Sequence, residues 1–405
     1  MIAWQQRLRR AFYELRLEGE GRGREAAALG LGLFIGCVPV YGFHLLLCWV
    51  VGRLLRLNRL KMYVAANISN PLFSPFLLFA ELQTGAFVRR RDLHDLTLEA
   101  IRHTNPWTFG ADLVIGSLVV GAVLGLSVAI ATFVTGGLRH EDPALAALWQ
   151  RASDPYLSAG IAPWEFARGK LRGDPVYRAL LQPGAIGSGG TLVDLGCGTG
   201  LTLSMLTTAA RMQSEGSLAA APRADRLIGV ELRGRAARIA RDVLGADAEI
   251  VEADARAFPL PPSRTVLLFD VLHMIPRDDQ DRLLARIAAA LEPGGTILIR
   301  EADAAGGWRF LAVRFGNRVK ALVTGNWRQR FAFRAHEEWA AALRGLGLDV
   351  TAQSAGEGTP FANSLVAGRR PGGSALRERA EAHDGVDGAA ARVVLAAKPE
   401  AADRG

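Results

Sequence analysis

From Leu113 to Leu138 the chain runs for about 26 residues without a charge or a proline. A helix of that length spans the hydrocarbon core of a bilayer with some tilt. Asn105-Pro106-Trp107-Thr108-Phe109 precedes it and puts aromatic rings where a membrane meets water. Two weaker apolar stretches come before it. Residues 26–57 are interrupted by Pro39, Gly42 and His44, and residues 62–88 by Asn70-Pro71 and Ser74-Pro75. Proline and glycine inside an apolar segment release backbone groups that need partners, so these stretches read as re-entrant hairpins or helix pairs. His44 either marks a functional site or bonds one of the freed carbonyls. In residues 1–20, Trp4, Leu8, Phe12 and Leu15 fall close to one stripe among Arg7, Arg9, Arg10 and Arg16. That pattern reads as a basic amphipathic helix lying in the membrane interface, with a solvated helix of a soluble domain as the alternative. Arginines occur on every loop, so the positive-inside rule does not choose a topology.

The balance of the 405 residues fits a membrane part joined to a soluble part. Hydrophobic residues make up 50% and charged residues 22%, with mean hydropathy +0.15. That is too apolar for an ordinary soluble protein of this length and too charged for a polytopic transporter. A net charge of +8 raises nucleic acid as a partner. However, Arg7, Arg9 and Arg10, and again Arg89, Arg90 and Arg91, flank apolar segments, where anionic headgroups explain them better. A membrane is therefore the expected partner, and nucleic acid is not. Cys37, Cys48 and Cys197 have neither metal-like spacing nor a disulfide framework, so no metal site is expected. No cleavable signal peptide is expected either, because the first apolar run begins near Ala26, behind a long charged stretch.

The run Ala28-Leu-Gly-Leu-Gly-Leu-Phe-Ile-Gly-Cys-Val-Pro-Val-Tyr-Gly-Phe-His44, followed by Leu57-Asn58-Arg59 and Ile68-Ser69-Asn70-Pro71, resembles a bacterial membrane family known only as a domain of unknown function. The resemblance covers roughly residues 10–138 and brings no activity with it.

Beyond Leu138 the composition changes. Residues 139–190 mix Trp149, Tyr156 and Trp164 with charges and read as short helices. Strands and helices then alternate over 191–196, 201–212, 226–232, 233–244, 248–254, 264–272, 279–291 and 295–301. Such alternation implies a parallel sheet with helices on both faces. A helix at 335–346 and strands at 348–354 and 361–367 close the domain. From Arg370 onward Gly, Ala, Arg and Glu dominate without apolar periodicity, which reads as a disordered tail.

The chemistry concentrates at Thr191-Leu-Val-Asp-Leu-Gly-Cys-Gly-Thr-Gly200, an apolar strand ending in a glycine loop with a helix behind it. Glycines there let a ligand approach the backbone at the edge where open α/β sheets bind ligands. The spacing is Gly-x-Gly-x-Gly, not the dinucleotide Gly-x-Gly-x-x-Gly. Asp194 stands two residues before the first glycine, where it would repel a pyrophosphate but suit a ligand with sulfonium and ammonium groups. Leu227-Ile-Gly-Val-Glu231 ends the second strand in an acid able to accept two ribose hydroxyls. Ile250-Val-Glu-Ala-Asp254 ends the third in another, placed for an adenine amino group.

These motifs resemble the class I S-adenosyl-L-methionine (SAM)-dependent methyltransferase superfamily over roughly residues 145–370. Asp194, Gly196, Cys197, Gly198 and Gly200 match its first motif, Glu231 its ribose-binding acid and Asp254 its adenine-side acid. Leu267-Leu-Phe-Asp-Val-Leu-His-Met-Ile275 is similar to its fourth motif, and Leu291-Glu-Pro-Gly-Gly-Thr-Ile-Leu-Ile-Arg300 to its turn and fifth strand. The resemblance implies a Rossmann-like seven-stranded sheet with an antiparallel edge strand, SAM as cofactor, and transfer of the SAM methyl to a nucleophile. Asp270 and His273 follow the fourth strand, beside the expected methyl position. His273 either accepts a proton or packs on the cofactor, and Asp270 either acts as a base or bonds backbone amides. In the long basic segment 304–334, Trp308, Phe310, Trp327, Phe331 and Phe333 either line an apolar acceptor site or pack a cover onto the sheet.

The expected organisation is an α-helical transmembrane domain at 1–138, an α/β methyltransferase domain at 139–370 and a disordered tail at 371–405. The expected function is methyl transfer to a small, apolar or membrane-associated acceptor of lipid, quinone-like or aryl-polyene type. It would proceed at the cytoplasmic face of the bacterial inner membrane, where SAM is made. The alternative is a membrane scaffold or transport partner whose domain binds SAM without turnover.

Overall fold

The computed structural model describes residues 2–19, 21–40, 42–94, 105–138, 142–323, 328–356, 359 and 361–372. The chain divides into two compact units, Met1–Asp142 and Pro143–Gly405. The expected tail at 371–405 lies outside the described residues from 373 onward.

The first unit is helical: α1 (Ile2–Leu17), α2 (Arg22–Cys37), α3 (His44–Leu55), α4 (Arg59–Ala66), α5 (Ser74–Arg90) and α6 (Pro106–Leu138). Its breaks fall at the prolines. Val38, held extended before Pro39, ends α2. His44 Nε2 lies 3.1 Å from the Val38 carbonyl oxygen across that break, the carbonyl-binding role open to it from the sequence. α4 and α5 meet at a 78° bend through the Asn70-Pro71 region. Asn58 is fully buried and caps α4 by accepting from Lys61 N at 2.8 Å. Its amide also donates to the carbonyls of Leu15 and Glu18 at 2.9 and 2.8 Å, which ties the end of α1 to the unit.

Among the described residues one helix, Pro106–Gly136, is long and apolar enough to cross a membrane, and the bent pair α4–α5 passes the same test only if taken as one span. Only 22% of the most apolar window of Pro106–Gly136 is buried within the protein, whereas the core helix of a soluble domain is mostly covered. α5 and α6 touch backbone to backbone: a Cβ on Gly116 would come within 1.6 Å of the Glu81 carbonyl oxygen. Asp112, near the start of α6, has no solvent exposure. Arg89 Nη1 reaches it at 2.6 Å, Arg90 Nη2 at 2.9 Å and His94 Nε2 at 2.8 Å. Arg89 and Arg90, read from the sequence as headgroup contacts, are thus paired inside the unit.

In the second unit α7 (Pro143–Ser153), α8 (Ile161–Gly173) and α9 (Pro175–Leu180) precede the sheet. There follow β1 (Thr191–Leu195), α10 (Leu201–Ser214), β2 (Arg226–Glu231), α11 (Gly234–Leu244), β3 (Glu249–Glu252), β4 (Ser263–Phe269), α12 (Arg277–Ala290), β5 (Leu291–Ala302), α13 (Gly307–Val323), α14 (His336–Gly345), β6 (Asp349–Ser354) and β7 (Asn363–Arg369). The seven strands form one sheet in the order β3-β2-β1-β4-β5-β7-β6. The first five are parallel, and β7 runs antiparallel to both β5 and β6. The reversed strand thus sits one place in from the edge, which β6 occupies. Val193, Ile228, Val266, Leu268 and Ile297 pack with Leu283, Leu284 and Ile287 of α12 and Trp339 of α14, burying both partners. α13 lies in the segment expected only as a long cover.

Candidate active site

Strand order reverses between β1 and β4, so the crevice at their C-terminal ends is where an open parallel sheet binds ligands. The loop after β1 and the residues after β4, far apart in sequence, meet there. A Cβ on Gly196 would lie 2.2 Å from Val271 Cγ2. Gly198 has φ +58°, and a Cβ built on it meets nothing within 4 Å, so its backbone faces open space. Gly200 is the N-cap of α10, whose first turn therefore faces the same crevice.

Asp194 is buried at the end of β1. Burial, and then the neighbouring Glu231 carboxylate, push its pKa up to about 7. A cation arriving beside it would favour the ionised form. Glu231 Oε2 accepts from Gly198 N at 2.9 Å and Oε1 from Arg233 N at 2.9 Å, so backbone amides aim the carboxylate along the loop. The Cys197 thiol turns under the loop toward Gly229, and burial raises its pKa. Its amide donates to Val230 O and its carbonyl accepts from Gly200 N, so the Cys197 backbone fixes the shape of the loop. Asp254, beyond β3, is held by Arg256, whose hydrogen bonds lower its pKa, and Arg256 in turn reaches Asp279 at 3.1 Å. Among the described residues no group of three or more His, Cys, Asp or Glu could hold a metal ion.

After β4, Asp270 adopts a left-handed backbone conformation, φ 59°. Its carboxylate pairs with Arg300 and, at 3.2 Å, with Lys170 of α8. Arg300 Nη2 reaches Asp174 at 2.6 Å, which closes a four-residue ion network. Loss of solvent would raise the Asp270 pKa, but Arg300 and Lys170 outweigh it and hold the carboxyl below the usual range. A carboxylate so held is a weaker proton acceptor than a free one, which favours a structural role for Asp270 over that of a base.

His273 is different. Its Nδ1 lies 2.7 Å from Glu301 Oε2, and both side chains are buried. Glu301 Oε1 also receives the His273 amide at 3.3 Å. The imidazole stacks on Phe333 with centroids 4.9 Å apart and planes 3° apart; Phe310 meets the same phenyl edge-on at 5.2 Å. Buried Gln280 donates to the carbonyls of Leu272, Ile275 and Ala332, fixing the His273 turn to the aromatic segment. Of the aromatic residues singled out in 304–334, Phe331 and Phe333 pack against His273, Phe310 packs on Phe333, Trp308 is exposed, and Trp327 lies outside the described residues. Sequence reasoning missed the roles of Glu301, Gln280, Lys170 and Asp174. Strand alternation was the available signal for one: Arg300 and Glu301 are adjacent on β5 and so face opposite sides. A surface cavity of about 470 Å³ lies by the opposite ends of β1 and β2, lined by Leu192, Thr207, Arg211 and Leu227 among others, apart from the glycine loop.

Residues 5–139 match a family of uncharacterized proteins conserved in bacteria, DUF2062, and residues 164–353 match the methyltransferase domain family. The chain joins a DUF2062 domain to a methyltransferase domain. A carboxy-S-adenosyl-L-methionine synthase of Chromohalobacter salexigens is 32% identical over 118 residues, 28% of this chain and 40% of that relative's length. Among solved structures, an O-methyltransferase family protein from Burkholderia thailandensis is 19% identical, covers 80% of this chain and 88% of its own, and has a TM-score of 0.38. An O-methyltransferase family 2 protein from Planctomyces limnophilus, in complex with apigenin, is 18% identical over 85% and 93%, with a TM-score of 0.37. At such scores neither superposition bears on the site. The matched domain is a methyltransferase domain, and the cofactor it points to is SAM. The residues present fit that cofactor: the Gly198 backbone opens on space, and Asp194 is a buried carboxyl that a cation would ionise.

Proposed function

We propose that the chain is a membrane-tethered methyltransferase acting on an apolar, membrane-associated acceptor of lipid, quinone-like or aryl-polyene type, at the cytoplasmic face of a bacterial inner membrane. The buried His273–Glu301 pair under an aromatic cover is the observation that carries this reading. Asp194, the Gly196–Gly200 loop and Glu231 would hold the cofactor. SAM supplies an electrophilic methyl group on a positively charged sulfur. With the Nδ1 proton donated to Glu301, His273 keeps its basic lone pair on Nε2, the atom that would take the proton of an acceptor hydroxyl. The rings of Phe310, Phe331 and Phe333 exclude water and favour an apolar acceptor over a charged one. Asp270, Arg300, Asp174 and Lys170 would set the shape of the adjoining wall. Support for the tether is the exposed apolar length of α6.

Two measurements test this reading. Glu231→Ala should weaken SAM binding by roughly 1.5–3 kcal/mol in calorimetry, because a charged hydrogen-bond acceptor is lost. His273→Ala should lower turnover on extracted membrane lipids by about 10²–10⁴-fold at unchanged SAM affinity. Turnover within a few-fold of wild type in His273→Ala would leave positioning alone as the mechanism. SAM binding with no methyl transfer to any lipid fraction would favour the alternative, a scaffold that binds SAM without turnover.

A further inference from the structure

α13 is amphipathic in an unusual sense: it has two apolar faces. Phe310 and Ala321 turn toward their own domain, where Phe310 meets Phe333 and Ala321 is buried. On the other side Trp308, Leu311, Phe315, Val319 and Leu322 recur at the three- and four-residue spacing of a single helix stripe, and all five are exposed. Trp308 is 70% and Phe315 72% exposed. Singly exposed apolar side chains need no explanation, but a continuous stripe of five does. Arg314 and Arg318 flank it, both exposed. From Ala304 to His336 the sequence holds seven lysines and arginines and no acid.

The charge decides between occupants. Two copies of so basic a surface repel each other, which disfavours self-association through this face. An anionic bilayer satisfies both features at once, taking the stripe into its acyl boundary and the arginines among its phosphates. We propose that α13 is an interfacial helix through which the methyltransferase unit docks on an anionic membrane surface. The inner face of the same helix carries Phe310 onto the ring that stacks on His273, so docking and the aromatic cover are mechanically joined. In the proposed reading of the function, on which this part rests, an acceptor dissolved in the bilayer enters the site beside α13.

The test uses the full chain reconstituted into vesicles. Cys37, Cys48 and Cys197 are buried, so Phe315→Cys, or Val319→Cys if the first variant folds poorly, gives one accessible thiol for an environment-sensitive fluorophore. In vesicles containing phosphatidylglycerol the label should shift to the blue and be quenched by brominated lipid. A label at Arg344→Cys on α14 should do neither. Neutralising Arg314 and Arg318 to Gln should shift the docking equilibrium about thirtyfold toward the undocked state and leave SAM affinity unchanged, which also reports that the domain is folded. A label at 315 as wet and unquenched as the one at 344 would overturn the proposal. So would shielding that grows with protein density in neutral phosphatidylcholine vesicles, since that outcome means a second copy covers the stripe. Docking without any methylated lipid would leave this inference standing and remove the acceptor assignment instead.

Discussion

Each unit buries a carboxylate among arginines, and the two do so to different ends. In the first, Asp112 is sealed from solvent, with Arg89, Arg90 and His94 around it from the same stretch of chain. In the second, Asp174 and Asp270 share Arg300 and Lys170, and Asp270 keeps 41% of its side chain exposed at the end of β4. A sealed carboxylate can only hold helices together. One that keeps an open side can also form part of a ligand site. The same ion chemistry thus serves as a clamp in one unit and, in the proposed function, as a wall of the site in the other.

The largest effect should come from breaking the clamp. Asp112→Ala leaves two arginines and a histidine facing one another without their counter-ion, a loss of about 3–5 kcal/mol for a buried pair broken on one side. Unfolding of the first unit followed in detergent should show it, with SAM affinity of the second unit unmoved. A parallel fall in SAM affinity would mean the units depend on each other, and the comparison would fail. Arg300→Ala should cost the second unit about 3 kcal/mol, the low end of the same range, since its partner Asp270 stays partly hydrated. Unlike the first substitution it should also reduce turnover. Asp270→Asn, in contrast, should leave turnover within a few-fold, because Asn tolerates the left-handed backbone and no proton transfer is lost. A drop of a hundredfold in Asp270→Asn would identify the carboxylate as the base.

What could be read from the sequence follows the same division. The glycine loop, Glu231 and the seven strands were legible because each is a local pattern: an apolar run, a turn, an acid at a strand tip. The helix breaks at Pro39 and Asn70-Pro71 were legible too, as proline fixes them locally, but the 78° bend was not. The ion network was beyond reach, since Arg300 and Asp174 are 126 residues apart and Lys170 and Asp270 are 100 apart. His273 was singled out by its place after β4, yet its partner Glu301 lies 28 residues on and is set by sheet pairing. The Asp112 partner of Arg89 and Arg90 was not legible, because a basic pair beside an apolar helix has the same appearance whether or not a buried Asp stands against it.

Asp194 offers a smaller test, made with pH instead of mutation. Its carboxyl is held near pH 7 by burial and by Glu231, so below that value the cofactor-free domain carries a proton there. A sulfonium or ammonium group favours the ionised form, and binding must then release the proton. SAM affinity should therefore fall as the pH drops below about 7, by at most tenfold per unit, or about 1.4 kcal/mol. Calorimetry in buffers of different ionisation enthalpy would count the released proton. Flat affinity from pH 8 to 5.5 would place the cofactor's charge away from Asp194.

The smallest effect is expected at the start of α14. His336 Nδ1 lies 2.9 Å from Asp303 Oδ2, and that hydrogen bond raises the His336 pKa from its ordinary 6.5. Burial acts to raise Asp303, but the Ala305 amide and His336 outweigh it and lower the carboxyl. A histidine raised on folding stabilises the fold fully below its ordinary value, and that contribution is lost as the pH climbs through the raised one. The acid works the other way, contributing above its ordinary value and fading as the pH falls through its depressed one. The pair is thus complete only in the mildly acidic window between them. The His336 side chain is 38% exposed, and solvent screening limits the pair to about 0.5 kcal/mol. Denaturation of wild type against His336→Gln should show a gap of that size near pH 6 that closes above neutrality. A gap that persists at high pH would mean His336 acts by packing on the N-terminal turn of α14 and not by charge, which would make it the counterpart of His44, the histidine that bonds a carbonyl across a helix break in the other unit.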